Sequence, residues 1–590
     1  MDDTADVEPK ISSIQVTEEV KSSIDPDDAY GYTKTSNFTS EVFKIEVGNL
    51  PRHCGYGELK KLMNKKLKLN PHKINVVSRI NKAYVTFRNE EDKVDAVAKL
   101  NAFVLKGNKL SVKNAKPKAD VMAKNKRENV DSSTSDVENK KIKVEDENIS
   151  MEVLSDQLKN TVIPWWKSSY EEQLKLKQSS MFSSLLEIRK KVSAVDNLDN
   201  EVFVWLMQQK KESGAFCPMD DILPSPCVGG YRNKCGFTVG KNSEDQAMVG
   251  FRLGRYRDQV CNVENPSCLI HVPDVMKQIV ECFTQYVQRS KLSVYNTHTH
   301  EGFWKQITVR TTLENSSMVI ITMCKQNLTD EKIQTELQSV IDHFETSNVK
   351  VDTMLYEGVP THRCNSKEIS IKTLTGDGVI YEKLFDLKFR ISPDAFFQCN
   401  TKAAEVLYKC IGDLVKQAID ETPDSKETAL LDVCCGTGTI GLTLSSCVNR
   451  LVGVDICEQA IIDAVKNATL NNITNAEFYV GKAEDVLPKA IESLSGINSM
   501  NLVAVVDPPR CGLHAKVIKV IRQCPAIQYL IYVSCSVDQA KTNFVDLCRP
   551  QSKRLNGPPF KPMLAQPVDL FPHTKHCEVV LLFKRILPVL

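Results

Sequence analysis

Residues 429–444 read ALLDVCCGTGTIGLTL, an apolar run ending in Gly436-x-Gly438-x-x-Gly441 and then a helix-forming segment. Glycines at a strand-to-helix turn let the backbone approach a ligand closely. Asp455 closes the next apolar run, RLVGVD (450–455), about 20 residues on, where its carboxylate can accept from ribose hydroxyls. This pattern indicates an adenosine-containing cofactor and does not separate NAD from S-adenosylmethionine. Outward from it, the last 200 or so residues alternate strand-like and helix-like stretches: ETALLDVC (427–434), NAEFYVG (475–481), NLVAVVDPP (501–509), IQYLIYVSC (527–535) and CEVVLLFKR (577–585). Several are continuous apolar runs of the kind buried on both faces of a parallel sheet. The expectation is an α/β, doubly wound, Rossmann-like domain.

Upstream the patterns change. FKIEVGNL (43–50), GYGELKKLMNKKL (55–67), KINVVS (73–78), KAYVTF (82–87), EEDKVDAVAKLNA (90–102) and KLSVKNAK (109–116) give the order β-α-β-β-α-β, a ferredoxin-like arrangement. IEVGNL and KAYVTF resemble the two signature strands of an RNA-recognition motif (RRM). Glu46 and Lys82 stand where stacking aromatics are usual, which leaves Tyr84 as the stacking platform. A protein-contact role is the alternative for this module. Residues 163–192 contain a long amphipathic helix, and a mixed α+β region with strand-like GFTVGKN, MVGFRLG, KQITVRTTL and MVIITMC follows to about residue 390. Within it YRNK (231–234) joins Tyr231, Arg232 and Lys234 in a basic, aromatic cluster suited to phosphate contact and stacking. The same composition also suits a plain surface loop.

Composition limits the function classes. The chain has 590 residues, enough for about four domains. Lys+Arg 76 against Asp+Glu 74 gives a net charge of +2, so a nucleic-acid surface must be local. No apolar run reaches the ~20 residues of a membrane helix, and no membrane partner is expected. MDDTADVEPK (1–10) is acidic and without an apolar region, unlike a secretory signal or a mitochondrial presequence. Twenty cysteines in such a chain point to a reducing compartment, with the cytosol expected. Lys140-Lys141-Ile142-Lys143 reads either as a nuclear-import signal or as a solvated charge run. Cys217, Cys227, Cys235, Cys261 and Cys268 are scattered with no CxxC among them, so neither a metal site nor an iron–sulfur cluster is expected.

Later strand ends separate the cofactors. VVDPPRCGLH (505–514) places Asp507 at the carboxyl end of a strand, LIYVSCSV (530–537) does the same for Cys535, and FPHTKHCEVVLLF (571–583) supplies Glu578 before the last strand. Hydride transfer needs neither thiol nor carboxylate there. Methylation of a pyrimidine at carbon 5 needs both. A thiolate must add to carbon 6 to make carbon 5 nucleophilic, and a base must then remove the carbon-5 proton.

With ISPDAFFQCN (391–400), DVCCGTGTIG (432–441), DPPRCGL (507–513), YVSCS (532–536) and PHTKHCE (572–578), the region from Tyr231 to Glu578 resembles the RNA 5-methyluridine methyltransferase family. The resemblance implies a class I methyltransferase domain using S-adenosyl-L-methionine. It implies a cofactor site lined by Gln398, Cys434, Asp455 and Asp507, with Gly436 and Thr439 in the same loop. It further implies Cys535 as nucleophile, Glu578 as proton acceptor, Arg510 as a contact to the target loop, and T-loop uridine of cytosolic tRNA as the substrate. Two departures stand out. Ser536-Val537 follow Cys535 where the family often has Asn-Pro, and Thr437 and Thr439 stand where bacterial relatives carry Asn. Two other functions remain open, an RNA 5-methylcytosine methyltransferase and a tRNA-binding folding helper whose methylation is incidental. The expected division is an acidic disordered tail over 1–40, the RRM-like domain over 41–117, a charged linker over 118–154, a central α+β RNA-binding domain over 155–390 and the methyltransferase domain over 391–590.

Overall fold

The computed structural model describes residues 43–51, 54–77, 81–87, 90–115, 151–254, 262–297, 299–359, 370–422, 427–494 and 500–586. The acidic tail, most of the linker with Lys140–Lys143, and Cys261 lie outside the described residues. The chain divides into two compact units, Met1–Glu145 and Asp146–Leu590.

In the first unit, β1 (Lys44–Gly48), α1 (Tyr56–Lys61), β2 (Lys73–Val77), β3 (Lys82–Thr86), α2 (Glu90–Asn101) and β4 (Ser111–Asn114) follow the expected β-α-β-β-α-β order. The strands form an antiparallel sheet in the order β2-β3-β1-β4. Period-two alternation explains its two faces. Ile45, Val47, Ala83 and Val85 are buried in one core with Leu59, Ala96 and Leu100 of the helices. Glu46 and Lys82 lie on the other face and form an ion pair at 2.7 Å, with Tyr84 directly opposite Glu46 in the register.

The second unit opens with α3 (Met151–Val162), α4 (Tyr170–Ser193) and α5 (Asn200–Glu212). A capping box starts α4: the Ser169 hydroxyl accepts from Glu172 N, and the Glu172 side chain accepts from Ser169 N. The central sheet has seven strands, β5 (Lys234–Lys241), β6 (Ala247–Arg252), β7 (Val263–Glu264), β8 (Trp304–Thr311), β9 (Ser317–Cys324), β10 (Thr353–Val359) and β11 (Ser370–Thr375). Their order is β11-β10-β9-β8-β5-β6-β7, and β9–β10 is the parallel pair. Helices α6 (Asp274–Arg289) and α7 (Asp330–Thr346) share the core of this sheet through Ile279, Phe283, Leu337 and Val340. The hairpin β12 (Ile380–Leu384) and β13 (Leu387–Ile391) then leads to α8 (Thr401–Asp420).

The apolar runs near the C-terminus are the strands of a second seven-stranded sheet, ordered β16-β15-β14-β17-β18-β20-β19. They are β14 (Glu427–Val433), β15 (Arg450–Asp455), β16 (Ala476–Val480), β17 (Met500–Val506), β18 (Ile527–Ser534), β19 (Phe560–Val568) and β20 (Glu578–Arg585). β14 to β18 run parallel, and β20 is antiparallel to both of its neighbours. The connecting helices are α9 (Thr439–Thr443), α10 (Glu458–Leu470), α11 (Ala483–Glu492), α12 (Ala515–Gln523) and α13 (Val537–Cys548). From β14 the chain builds outward through β15 to β16 and returns to β17 on the other side. That reversal opens a crevice at the carboxyl ends of β14 and β17.

Helix packing in the second unit crosses residue 390. Met181, Leu185, Ile188 and Val192 of α4 and Leu206 of α5 share one core with Leu431, Val433 and Val506 of the C-terminal sheet. Periodicity identifies the buried face of a helix but does not say which sheet that face covers.

Candidate active site

The crevice is shaped by backbone conformation. After β14 the chain turns through Cys434 at φ 65°, Gly436 at φ 55° and Gly438 at φ 79°, all left-handed, a region that costs a residue with a β-carbon. Gly436 N donates to Asp455 Oδ2 at 2.9 Å, and Cys457 N donates to Asp455 Oδ1 at 2.8 Å. The carboxylate at the end of β15 is thus fixed and retains lone pairs for a ligand. A β-carbon at Gly436 would meet nothing within 4 Å, so the space beside the loop is open. The Thr439 hydroxyl pairs with Tyr408 Oη at 3.1 Å. Asp507 N donates to Val433 O at 3.2 Å, joining the ends of β17 and β14.

Register brings the two chemical groups together. Ser534 pairs with Val579 at the end of the ladder, so Cys535, directly after β18, and Glu578, at the start of β20, come close enough for the carboxyl to act on the thiol. Glu578 is only 4% exposed. Burial, and then the neighbouring Asp507, push its carboxyl up to about 8, while Arg510 opposes them. Burial likewise raises Asp507 to about 7. The Cys535 thiol is pushed up to about 11 by burial, then by Glu578 and Asp507, with Arg510 acting the other way. Cys535 therefore rests as a thiol, and Glu578 has a proton affinity suited to carbon-acid chemistry near neutral pH.

Cys535 and Arg510 line a cleft of about 290 Å³ together with Tyr231, Arg232, His271 and Phe571. Tyr231 is a buried wall of this cleft, not an exposed platform, and its hydroxyl donates to Pro572 O at 2.9 Å. Lys234 does not line the cleft; burial and then nearby Arg310 lower its ammonium to about 8. Gln398 is buried, and its backbone carbonyl accepts from Asn233 Nδ2 at 2.8 Å, tying the YRNK segment to the 391–400 segment. Tyr84 belongs to the first unit. Cys511 is exposed. Cys217 and Cys235 are buried in different cores, and among the described residues no three His, Cys, Asp or Glu are grouped to hold a metal.

Sequence reasoning missed two features. Ile456 follows Asp455 and is 66% exposed, an apolar surface beside a carboxylate. On α4, Gln173 and Lys177 are buried in line with Met181, Leu185, Ile188 and Val192. Polar residues at helical spacing on an apolar stripe were the available signal.

A family model described as tRNA (Uracil-5-)-methyltransferase matches residues 231–586. The chain is similar to tRNA (uracil-5-)-methyltransferase homolog A of Homo sapiens, 39% identical over 565 residues covering 94% of this chain and 85% of that one. It is also similar to homolog B of Homo sapiens, 38% identical over 437 residues covering 73% and 84%. The crystal structure of Pyrococcus abyssi tRNA (uracil-54, C5)-methyltransferase in complex with S-adenosyl-L-homocysteine matches at 23% identity and a TM-score of 0.47, covering 66% of this chain and 83% of that one. The matched span of the family model runs from the Tyr231 wall of the cleft through the glycine loop, Cys535 and Glu578, and the chain belongs to the tRNA (uracil-5-)-methyltransferase family.

Proposed function

We propose that this protein methylates carbon 5 of a T-loop uridine in cytosolic tRNA, with Cys535 as nucleophile and Glu578 as base. The observation that carries this reading is the end of the β18–β20 ladder, where the Ser534–Val579 pair leaves Cys535, at the wall of a cleft of about 290 Å³, beside the buried carboxyl of Glu578. Family membership sets aside the cytosine alternative. The target uridine must leave its stack to reach the cleft, at a cost of a few kcal/mol. Cys535, its thiol proton given up to solvent, then adds as the thiolate to carbon 6, which makes carbon 5 nucleophilic so that it can take the methyl group. Glu578 removes the carbon-5 proton, the double bond re-forms, and the sulfur leaves.

S-adenosylmethionine, when bound, supplies the electrophilic methyl group. The crevice fits such a group: Asp455 offers carboxylate oxygens for ribose hydroxyls, Ile456 an apolar face for a purine, and the open side of Gly436 room for close approach. Cys434, Thr439, Asp507 and Gln398 complete the proposed lining. Arg510 and Arg232 supply positive charge to the tRNA backbone at the cleft. The first unit, as an RRM-like accessory, adds contacts through Tyr84.

The test uses tRNA containing 5-fluorouridine. Fluorine leaves Glu578 no proton to remove, so a protein–RNA adduct that survives denaturing gels should accumulate when S-adenosylmethionine is present. Cys535→Ala should abolish it and Cys511→Ala should not. An adduct that persists in Cys535→Ala but vanishes in Cys511→Ala would move the nucleophile to the neighbouring loop.

A further inference from the structure

Glu578 opens β20, so the loop over 569–577 delivers it. Nearly every polar group at the start of this loop is held by a residue remote in sequence. Asp569 and Lys177 are both 0% exposed and pair at 2.6 Å. Lys177 Nζ also donates to Phe571 O at 3.0 Å, and Tyr170 Oη donates to Asp569 Oδ2 at 3.1 Å. His573 has φ 66°, a conformation that must be over-determined by its surroundings to persist. Its N–H donates to Gln173 Oε1 at 2.6 Å, and its carbonyl accepts from Trp165 N at 3.0 Å. On the ring, Nε2 lies 2.9 Å from Val228 O and Nδ1 lies 3.1 Å from Gln173 Nε2. A carbonyl can only accept, so Nε2 carries the proton and Nδ1 accepts from Gln173.

An apolar pair would fill the stripe of α4 without the desolvation cost of a buried ion pair. What Lys177 and Gln173 add is direction. Both reach the loop whose Phe571, Thr574 and His576 line the cleft beside Cys535.

We infer that Lys177 and Gln173 are positioning residues for the second half of the reaction, holding the 569–577 loop so that Glu578 faces carbon 5 of the Cys535-bound uracil. The inference rests on Glu578 being the base. In that half, the Glu578 carboxylate takes the carbon-5 proton, the carbon–hydrogen electron pair forms the carbon 5–carbon 6 double bond, and the carbon 6–sulfur bond breaks to release the Cys535 thiolate. The loop also walls the cleft through Phe571, Thr574 and His576. But Cys535 follows β18 and the crevice lies at the ends of β14 and β17, so loosening the loop should slow thioether formation and methyl transfer far less than proton removal.

The experiment compares full-length Gln173→Leu and the double variant Lys177→Met/Asp569→Leu, which removes both buried charges together, with the native enzyme and Glu578→Gln. Single-turnover methyl transfer should stay within about twofold of native while multiple turnover falls about tenfold or more. Adduct should build up on ordinary uridine tRNA, as in Glu578→Gln. Equal falls in methyl transfer and turnover with no adduct, the signature of lost folded enzyme, would overturn the inference. So would native behaviour. Gln173→Leu leaves the ion pair in place and decides the question if the double variant does not fold. Adduct in Glu578→Gln but in neither loop variant sinks this inference alone. No adduct in Glu578→Gln sinks the base assignment and takes this inference with it.

Discussion

As the proposed base, Glu578 must be dry enough to bind a carbon-derived proton and yet be ionised when that proton arrives. The folded carboxyl keeps its proton up to about pH 8 because it is buried beside Asp507, against an ordinary value of 4.5. Between those values the unfolded chain ionises first, so this residue makes the fold less stable as pH rises, by about 1.4 kcal/mol for each pH unit across that interval. Glu578→Gln keeps the size and removes the ionisation. It should melt a few degrees above native at pH 8, with the gap closing toward pH 5 in calorimetric scans. Equal melting at pH 8 would show that the carboxyl is not desolvated. The same values would shape activity: the proposed base and the proposed nucleophile are both protonated in the free enzyme at neutral pH, Cys535 being held up to about 11. kcat/KM should therefore climb from about pH 6.5 through 8 and not fall before about pH 9. A bell with its maximum below pH 7 would contradict the assignments.

Helix α4 shows where reading a sequence by element succeeds and where it stops. The continuous apolar runs of β14, β17 and β18 announced strands buried on both faces, and the glycine loop announced the crevice. The β-α-β-β-α-β order of the first unit was equally plain, because alternation and turn residues are local. Allegiance between elements is not local. Nothing in CEVVLLFKR says that its strand runs antiparallel between β18 and β19, yet that placement is what brings Glu578 near Cys535. Nor does YRNK show that the Tyr231 hydroxyl would be spent on Pro572 O. For α4 the stripe was visible and its partner was not. Leu185 is fully buried in the core of the C-terminal sheet. Leu185→Ala should cost about 2–5 kcal/mol, and hydrogen exchange should quicken in β14 and β17 more than in β9. Faster exchange confined to β9 would return the helix to the central sheet.

Under the proposed function, the two compact units would make separate contributions to tRNA handling. Asp146–Leu590 contains the crevice, the cleft, Cys535 and Glu578, and also α4 with its hold on the 569–577 loop. Met1–Glu145 contains none of these. Its exposed sheet face carries Lys82, Tyr84 and Lys113, with Glu46 paired to Lys82, so one acid there offsets part of the positive charge. The chain as a whole carries only +2, and affinity for a polyanion must come from such local patches. A chain beginning at Asp146 should therefore fold and keep kcat within about twofold at saturating tRNA, while KM for tRNA rises about tenfold. Each phosphate that the first unit neutralises adds about one to the steepness of the salt dependence, so the truncated chain should bind with a shallower slope. Steady-state kinetics and tRNA binding at two or more salt concentrations check both statements. If turnover collapses while binding and its salt dependence stay as in the full chain, the first unit takes part in catalysis itself, and the assignment of chemistry to the second unit alone is wrong.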